Sequence, residues 1–147
     1  MSIFNGLNIN VSGLALERLK LDTISTNIAN VNTTRTPEGG AYRKKSIDFA
    51  ESLKNVSTTE QKRNSLATNR MSYGVRINGI TEDQTVRTSY DPTNPDADEN
   101  GYVEQSNVNM ADEMVDMIQA LRTYEANASA VEMNKSMLRK ALEISKE

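Results

Sequence analysis

Four residues in the second half of the chain have the types and the spacing of a calcium loop: Asp96, Asp98, Asn100 and Gly101. They match the first half of the EF-hand pattern, in which carboxylate and amide oxygens bind Ca²⁺ and the glycine allows a sharp turn. The second half does not match, because the twelfth position is Asn107 instead of a bidentate Glu, and Pro92 and Pro95 interrupt any preceding helix. The mismatch favours an acidic turn with Gly101 at positive φ over a calcium site.

The remaining candidates for acid–base chemistry are two adjacent carboxylate pairs, Glu82–Asp83 and Asp112–Glu113. Neighbouring residues on a helix do not face each other, so the second pair is not arranged to share a proton. The chain contains no His and no Cys, which excludes His-based catalysis, thiol catalysis, disulfides and most zinc sites. We predict that the protein is not an enzyme and uses no metal or other cofactor.

The composition predicts a thin core. Of 147 residues, 37% are hydrophobic and 5% are aromatic, so we expect an elongated molecule or one that partners complete. The net charge of −3 and the lack of a Lys/Arg-rich run indicate no nucleic-acid partner. No stretch reaches the roughly 18–20 apolar residues that span a bilayer, and we expect no cleaved signal peptide at the N-terminus.

Both ends of the chain have the apolar periodicity of long amphipathic helices. At residues 1–31 and from about 110 to 145, apolar residues recur at three- and four-residue steps. We predict an α+β fold in which the two terminal helices form an antiparallel, coiled-coil-like pair around a small central β-rich region. The predicted interface seam consists of Leu7, Val11, Leu14, Leu21, Ile28, Met114, Met117, Leu121, Tyr124, Val131 and Leu138.

Charge and end signals refine the two helices. Residues 1–31 carry only four charged side chains, which indicates burial against several neighbours. The first helix is expected to end near Asn30 in a left-handed Asn conformation, and the second to begin at an N-cap on Asn107 or Asn109. A second apolar stripe around Met133 and Met137 indicates that the last helix contacts more than one partner.

The central region has weaker signals. Residues 32–46 predict a loop whose basic trio, Arg43 to Lys45, is either a solvated edge strand or a contact to an acidic neighbouring subunit. Residues 51–70 predict a polar loop or a marginal helix. Strands are predicted within residues 71–90, with Asn78-Gly79 as a hairpin or a bulge, and at 102–105.

Several runs of residues resemble the bacterial flagellar rod and hook proteins. The N-terminal runs are Ser12-Gly13-Leu14 and Thr26 to Thr33, and the central runs are Tyr90-Asp91-Pro92, Pro95 to Val103 and Asn107-Val108-Asn109. The C-terminal helix also carries matching residues, from Met114 to Asn127. The central runs resemble the proximal-rod members of this family. The resemblance gives six family-motif residues: Asn27, Asn30, Asp91, Pro92, Gly101 and Tyr102.

The resemblance implies a structural subunit of the flagellar basal-body rod that polymerises through its terminal helices and transmits torque. Residues 1–31 and 107–147 would form a helical axial-core domain, and 32–106 a small β-rich outer domain. The implied partners are other rod proteins, further copies of this chain and the flagellar type III export apparatus. Export would proceed unfolded and without a cleaved signal peptide, and we expect the terminal helices to be partly disordered before assembly. A soluble calcium-binding or helical adaptor protein is the alternative.

Overall fold

The computed structural model describes residues 3–55 and 70–144, which form two long helices and four strands. In chain order these are α1 (Ile3–Ala29), β1 (Lys45–Asn55), β2 (Arg70–Glu82), β3 (Arg87–Tyr90), β4 (Tyr102–Gln105) and α2 (Met110–Ile144). The α+β class, with terminal helices and a small antiparallel β region, is therefore confirmed.

Asparagine side chains define the inner ends of both helices. At the end of α1, the Asn30 amide Nδ2 donates to the carbonyl of Thr26 at 2.9 Å. No non-glycine residue in the described ranges has positive φ, so the predicted left-handed Asn conformation is wrong. At the start of α2, Asn109 Oδ1 accepts the N–H of Ala111 at 3.1 Å, which makes Asn109 the N-cap. Asn107, the other candidate, instead accepts the N–H of Lys44.

The two helices run antiparallel, with contacts that recur every seventh residue. Asn27 lies against Glu113. A Cβ placed at Gly13 would lie 2.9 Å from Nδ2 of Asn127, and one at Gly6 would lie 3.6 Å from Nδ2 of Asn134. We call these heptad positions the polar line: Gly6, Gly13, Lys20 and Asn27 on α1, and Glu113, Ala120, Asn127 and Asn134 on α2. Every residue on this line is small or polar.

The strands form two separate antiparallel ribbons, β1–β2 and β3–β4. In the first ribbon Asp48 pairs with Gly79 and Phe49 pairs with Ile77, which leaves Asn78 as an extra residue on β2. The predicted hairpin-or-bulge signal at Asn78-Gly79 is therefore a bulge, and the strand continues through it.

Strand β1 departs from the expectation for the central region. It begins at Lys45, inside the predicted loop 32–46, and continues to Asn55. The polar loop or marginal helix predicted for residues 51–70 is wrong over 51–55, because these residues are paired in the ribbon. Residues 56–69 lie outside the described ranges.

One close contact between the β1–β2 ribbon and α1 lies at Gly74. The backbone at Gly74 has φ of +102°, and a Cβ there would lie 3.1 Å from the Cα of Ile9. Next to it, the N–H of Val75 donates to Oγ of Ser12 at 3.1 Å. Only glycine at position 74 allows both the backbone conformation and this approach. The ribbon therefore lies on the flank of the helix pair that carries Ser12.

Candidate assembly interface

The predicted seam lies beside the polar line and not on it. On α1, Leu7, Leu14 and Leu21 each follow a residue of the polar line by one position, and so does Ile28. On α2, Met114 follows Glu113 in the same way. One residue along a helix corresponds to a rotation of about 100°, so these residues point away from the contact between the helices. Four predicted residues of α2 follow a polar-line residue by four positions instead and border the contact at about 40°: Met117, Tyr124, Val131 and Leu138.

The two stripes lie on the same side of the helix pair. In antiparallel helices, a rotation in the same sense from the contact line leads to the same flank on both. Ser12, which meets the ribbon, precedes Gly13 and therefore lies on the opposite flank. We call the flank away from the ribbon the apolar face; it carries Leu7, Val11, Leu14, Leu21, Ile28, Met110, Met114, Met117, Ile118 and Leu121.

The apolar face remains accessible in the single chain. Val11 and Met114 are each 51% exposed, and Leu121 is 45% exposed. By contrast, Ala120 on the polar line is 3% exposed and Leu16 is 4% exposed. The other predicted seam residues are partly exposed: Leu7, Leu14, Leu21, Ile28, Met117, Tyr124, Val131 and Leu138.

Two residues of the apolar face were not among those predicted. Ile118 is 53% exposed and Met110 is 41% exposed. Ile118 is four residues after Met114 and three before Leu121, so the helical periodicity that selected its neighbours also selects it. The second stripe of α2 is exposed as well, with Met133 at 58% and Met137 at 61%.

A buried polar cluster joins both helices to β1 at one end of the polar line. Asn27, 1% exposed, makes four hydrogen bonds. Its Nδ2 donates to the carbonyl of Lys45 at 2.9 Å and to Oε2 of Glu113 at 3.0 Å, while its Oδ1 accepts from Tyr42 Oη and from the N–H of Lys45. These four bonds fill the capacity of the amide group, which has two N–H donors and two acceptor lone pairs.

Glu113 supplies the charge of this cluster. Its side chain is 1% exposed, and its Oε1 lies 2.7 Å from Nζ of Lys44. The hydrogen bond to Glu113 raises the pKa of Lys44, and burial raises the pKa of Tyr42. The helix dipole also favours a carboxylate in the first turn of α2.

The basic trio makes its contacts inside the chain. Lys44 pairs with Glu113, Lys45 Nζ lies 3.3 Å from Oε1 of Glu82, and Arg43 donates to Gln84. A purely solvated strand edge is therefore wrong for Lys44, while a contact of the trio to an acidic neighbouring subunit stays a prediction. Sequence patterns did not indicate the cluster, because polar residues in an amphipathic helix are expected to face water.

The acidic stretch folds as a turn between β3 and β4. Gly101 has φ of +79°, as predicted. Asp98 Oδ1 accepts the backbone N–H groups of Asn100 and Tyr102 at 2.9 and 2.8 Å, and Asp96 pairs with Arg35. Within residues 3–55 and 70–144, no group of acidic side chains is arranged to hold a metal ion.

The remaining motif residues stabilise this turn. The N–H of Asp91 donates to the carbonyl of Gly101 at 2.9 Å, and Asp91 Oδ1 accepts from Thr93. Pro92 packs against Gly101, where a Cβ would lie 3.2 Å from the proline ring. Tyr102 pairs with Tyr90 across the ribbon, with ring centroids 5.3 Å apart. These motif residues therefore hold a local fold, in contrast to Asn27, which joins distant elements.

No helix in the described part of the chain has both the length and the apolar character needed to cross a membrane. An elongated helix pair with a thin core and an uncovered apolar face defines a structural subunit that is completed by neighbours. The comparisons with known proteins specify the assembly.

Residues 7–35 match the family model of the flagella basal body rod protein, and residues 99–144 match that of the flagellar basal body rod FlgEFG protein C-terminal region. The chain is 44% identical to the flagellar basal-body rod protein FlgC of Borreliella burgdorferi, over 98% of each chain. It is 38% identical to FlgC of Bacillus subtilis, over 99% of this chain and 100% of the relative. FlgC of Salmonella typhimurium is 32% identical, over 97% of each.

The chain belongs to the FlgC family of flagellar basal-body rod proteins. It is a structural, non-enzymatic subunit of the basal-body rod and assembles with other rod components.

Proposed function

We propose that this chain polymerises in the proximal part of the rod through the apolar face of its helix pair. The observation that carries the proposal is the position of the apolar face beside the polar line on both helices. Contacts along the polar line use small and polar residues, and Leu16 and Ile24 are the buried apolar residues of α1. The apolar residues of the neighbouring face stay accessible, as at Met114 and Leu121. An uncovered face of this kind marks an interaction site.

Neighbouring subunits on the apolar face would stabilise the rod through burial of apolar area, at about 25 cal/mol per Å². Sliding one subunit past the next would expose that area again, so the interface resists torque. A subunit repeated along a screw axis also needs at least two different contact surfaces. The exposed second stripe of α2, with Met133 and Met137, supplies a further one.

The proposed placement has residues 1–31 and 107–147 as the inner, axial-core part and 32–106 as the outer part. The position of the β1–β2 ribbon supports this placement, because the ribbon lies on the flank opposite the apolar face. The neighbours would be further copies of this chain and other rod proteins. We assign no contact to nucleic acid.

We further propose that the chain travels to the basal body through the flagellar type III export apparatus, unfolded and without a cleaved signal peptide. The thin core supports easy unfolding, since only six hydrophobic residues in the described ranges are buried: Leu16, Ile24, Tyr42, Val103, Val108 and Ala120. Full order of the terminal helices would then follow assembly.

The test is complementation of a motile strain that lacks the gene for this subunit. Val11→Asp and Leu121→Asp each place a charge on the apolar face, and we expect loss of swimming and loss of the subunit from isolated basal bodies. Ala15→Asp is the matched control, because Ala15 is exposed but lies off the stripe, and it should swim. Normal rods with both stripe variants would refute the proposed interface, while normal secretion of the variants separates assembly from export.

A further inference from the structure

We propose that Asn27 and Glu113 are positioning residues that set the register of the helix pair, and through it align the two halves of the apolar face. The glycine–asparagine contacts of the polar line do not distinguish one register of the helix pair from another. Gly6 meets Asn134 and Gly13 meets Asn127, so the same glycine–asparagine contact occurs twice at a spacing of seven residues. A slip of α2 by seven residues would place Gly6 opposite Asn127 and keep a glycine against an asparagine.

The pair at the end of the polar line, Asn27 and Glu113, differs from the glycine–asparagine pairs. Asn27 and Glu113 are both 1% exposed and are joined by a 3.0 Å hydrogen bond between residues 86 positions apart in the chain. A buried polar contact of this kind specifies register in helix pairs, because a mismatched register leaves its groups without partners.

The amide of Asn27, more than the charge of Glu113, distinguishes the registers. After a slip by seven residues, Lys20 would lie opposite Glu113 and could replace Lys44 as the cation. Asn27 would then lie beyond the start of α2 and lose its bond to Glu113. The cation that pairs with this carboxylate in the observed register is Lys44, whose Nζ lies 2.7 Å from Oε1.

Strand β1 fixes the amide from the other side. Asn27 bonds both the N–H and the carbonyl of Lys45, at 3.0 and 2.9 Å, and accepts from Tyr42. The position of Asn27 is therefore fixed by α1 and β1 together, and Glu113 of α2 completes its bonds. We infer that the cluster acts as the reference point from which the helices pair.

The consequence for assembly follows from the geometry of the apolar face. Stripe residues of α1 and α2 lie side by side only in the observed register, and a slip by seven residues would move one stripe by about 10 Å along the other. This consequence rests on the proposed assembly function. The register itself can be tested in the isolated full-length chain, so the two ideas can fail separately.

Because the chain has no Cys, engineered cysteine pairs report the register without background. The pair Gly6→Cys with Asn134→Cys reads the observed register, and Gly6→Cys with Asn127→Cys reads the slipped one. After mild oxidation of the purified monomer, we expect intramolecular crosslinking of the first pair to exceed that of the second by at least about tenfold. Adding Asn27→Leu should reduce this ratio to about threefold or less.

Asn8→Leu is the matched control, because it makes the same change at an exposed position of α1, and it should leave the ratio unchanged. Glu113→Gln keeps an acceptor for the Asn27 amide and should retain most of the preference. An unchanged ratio in a helical Asn27→Leu protein would overturn the proposal, as would equal crosslinking of both pairs in the parent. If Asn27→Leu loses its helical circular dichroism, Glu113→Leu is used in its place. A reduced crosslinking ratio is again expected, and an unchanged ratio would again overturn the proposal. If neither variant folds, the crosslinking ratio of the two cysteine pairs in the parent chain is the remaining test. A ratio below about threefold overturns the proposal, because it contradicts a fixed register.

Discussion

The polar line and the apolar face lie about 100° apart on the same two helices, and they differ in every respect that matters for assembly. The polar line is closed within the chain, with Asn27 and Glu113 each 1% exposed, whereas Met114 and Leu121 beside it are about half exposed. An ordinary helix pair buries its apolar stripe inside the pair. Here the helices meet along a line of polar and small residues, and most of the apolar stripe beside that line stays accessible to neighbours.

The largest effect expected from this difference is a separation of assembly from stability. Leu121→Asp should abolish incorporation into rods, yet change the free energy of unfolding of the monomer by less than about 0.5–1 kcal/mol, because the side chain is already 45% exposed. Urea denaturation of the purified chain measures the second quantity. A loss of several kcal/mol would mean that the stripe belongs to the fold of the monomer, and the comparison would no longer hold.

A change on the polar line should have the opposite outcome. Glu113→Ala removes a buried carboxylate and leaves Asn27 and Lys44 without that partner, so we expect a loss of about 3 kcal/mol in the free energy of unfolding. Asp112→Ala is the control, since it removes an exposed carboxylate from the adjacent position and should cost less than about 1 kcal/mol. Equal effects of the two substitutions would contradict the role of the cluster.

The close approach of β2 to α1 should depend on one glycine. Gly74→Ala adds a Cβ that meets Ile9 and Ser12 at a backbone with φ of +102°, and we expect a loss of about 1–3 kcal/mol. Gly79→Ala on the same strand meets open space and should change stability by less than about 1 kcal/mol. Denaturation of both variants checks the expectation, and tolerance of Ala at position 74 would show that the ribbon is not held there.

The two halves of α1 should also differ in amide exchange. From Asn5 onward, where the side chains of this helix are described, the buried residues all lie in its second half: Leu16, Glu17, Ile24 and Asn27. We expect amides after Leu16 to exchange more slowly than those of residues 5–13 in the isolated monomer, and the difference to vanish in assembled rods. Uniform protection of α1 in a dilute monomer would contradict partial disorder before assembly.

The smallest effect concerns alkaline pH. The pKa of Lys44 is raised above its ordinary 10.5, first by the hydrogen bond to Glu113, and burial raises that of Tyr42 above 10.0. Both groups bind their proton more tightly in the folded chain, so stability is fully present below about pH 10 and falls as pH rises through these values. Lys44→Arg and Tyr42→Phe should each flatten this decline in denaturation curves. If the decline in stability is the same in both variants as in the parent, the deprotonation of Lys44 and Tyr42 does not cause it.

Helical periodicity predicted α1, α2 and the stripes beside the polar line, because apolar spacing records which side of a helix avoids water. It did not predict which line the helices use to contact each other, since Gly13 and Asn127 carry no apolar signal. The cluster at Asn27 and Glu113 was equally hidden, because their partners are distant in the chain.

The central region was predicted unevenly for a similar physical reason. The Gly101 turn was found from its own residues, since its hydrogen bonds join Asp98 to positions within four residues. Strand β1 was missed in part because Glu51 interrupts the alternation that Ile47 and Phe49 begin, and the bulge at Asn78 shifts the register of its partner. Local bonds can be read from sequence, whereas pairing between distant segments depends on the whole fold.

The glycines of the inner contact also bear on how the chain yields to a pull. A force that lifts the N-terminal end of α1 would first part Gly6 from Asn134 and then Gly13 from Asn127. Resistance would rise at Leu16, where the buried part of α1 begins, and would be greatest at Asn27, whose bonds all have to break together. Under force, α1 should therefore separate in two stages, the first at low force and the second at higher force. Refolding should run in the reverse order and begin at the end that contains Asn27.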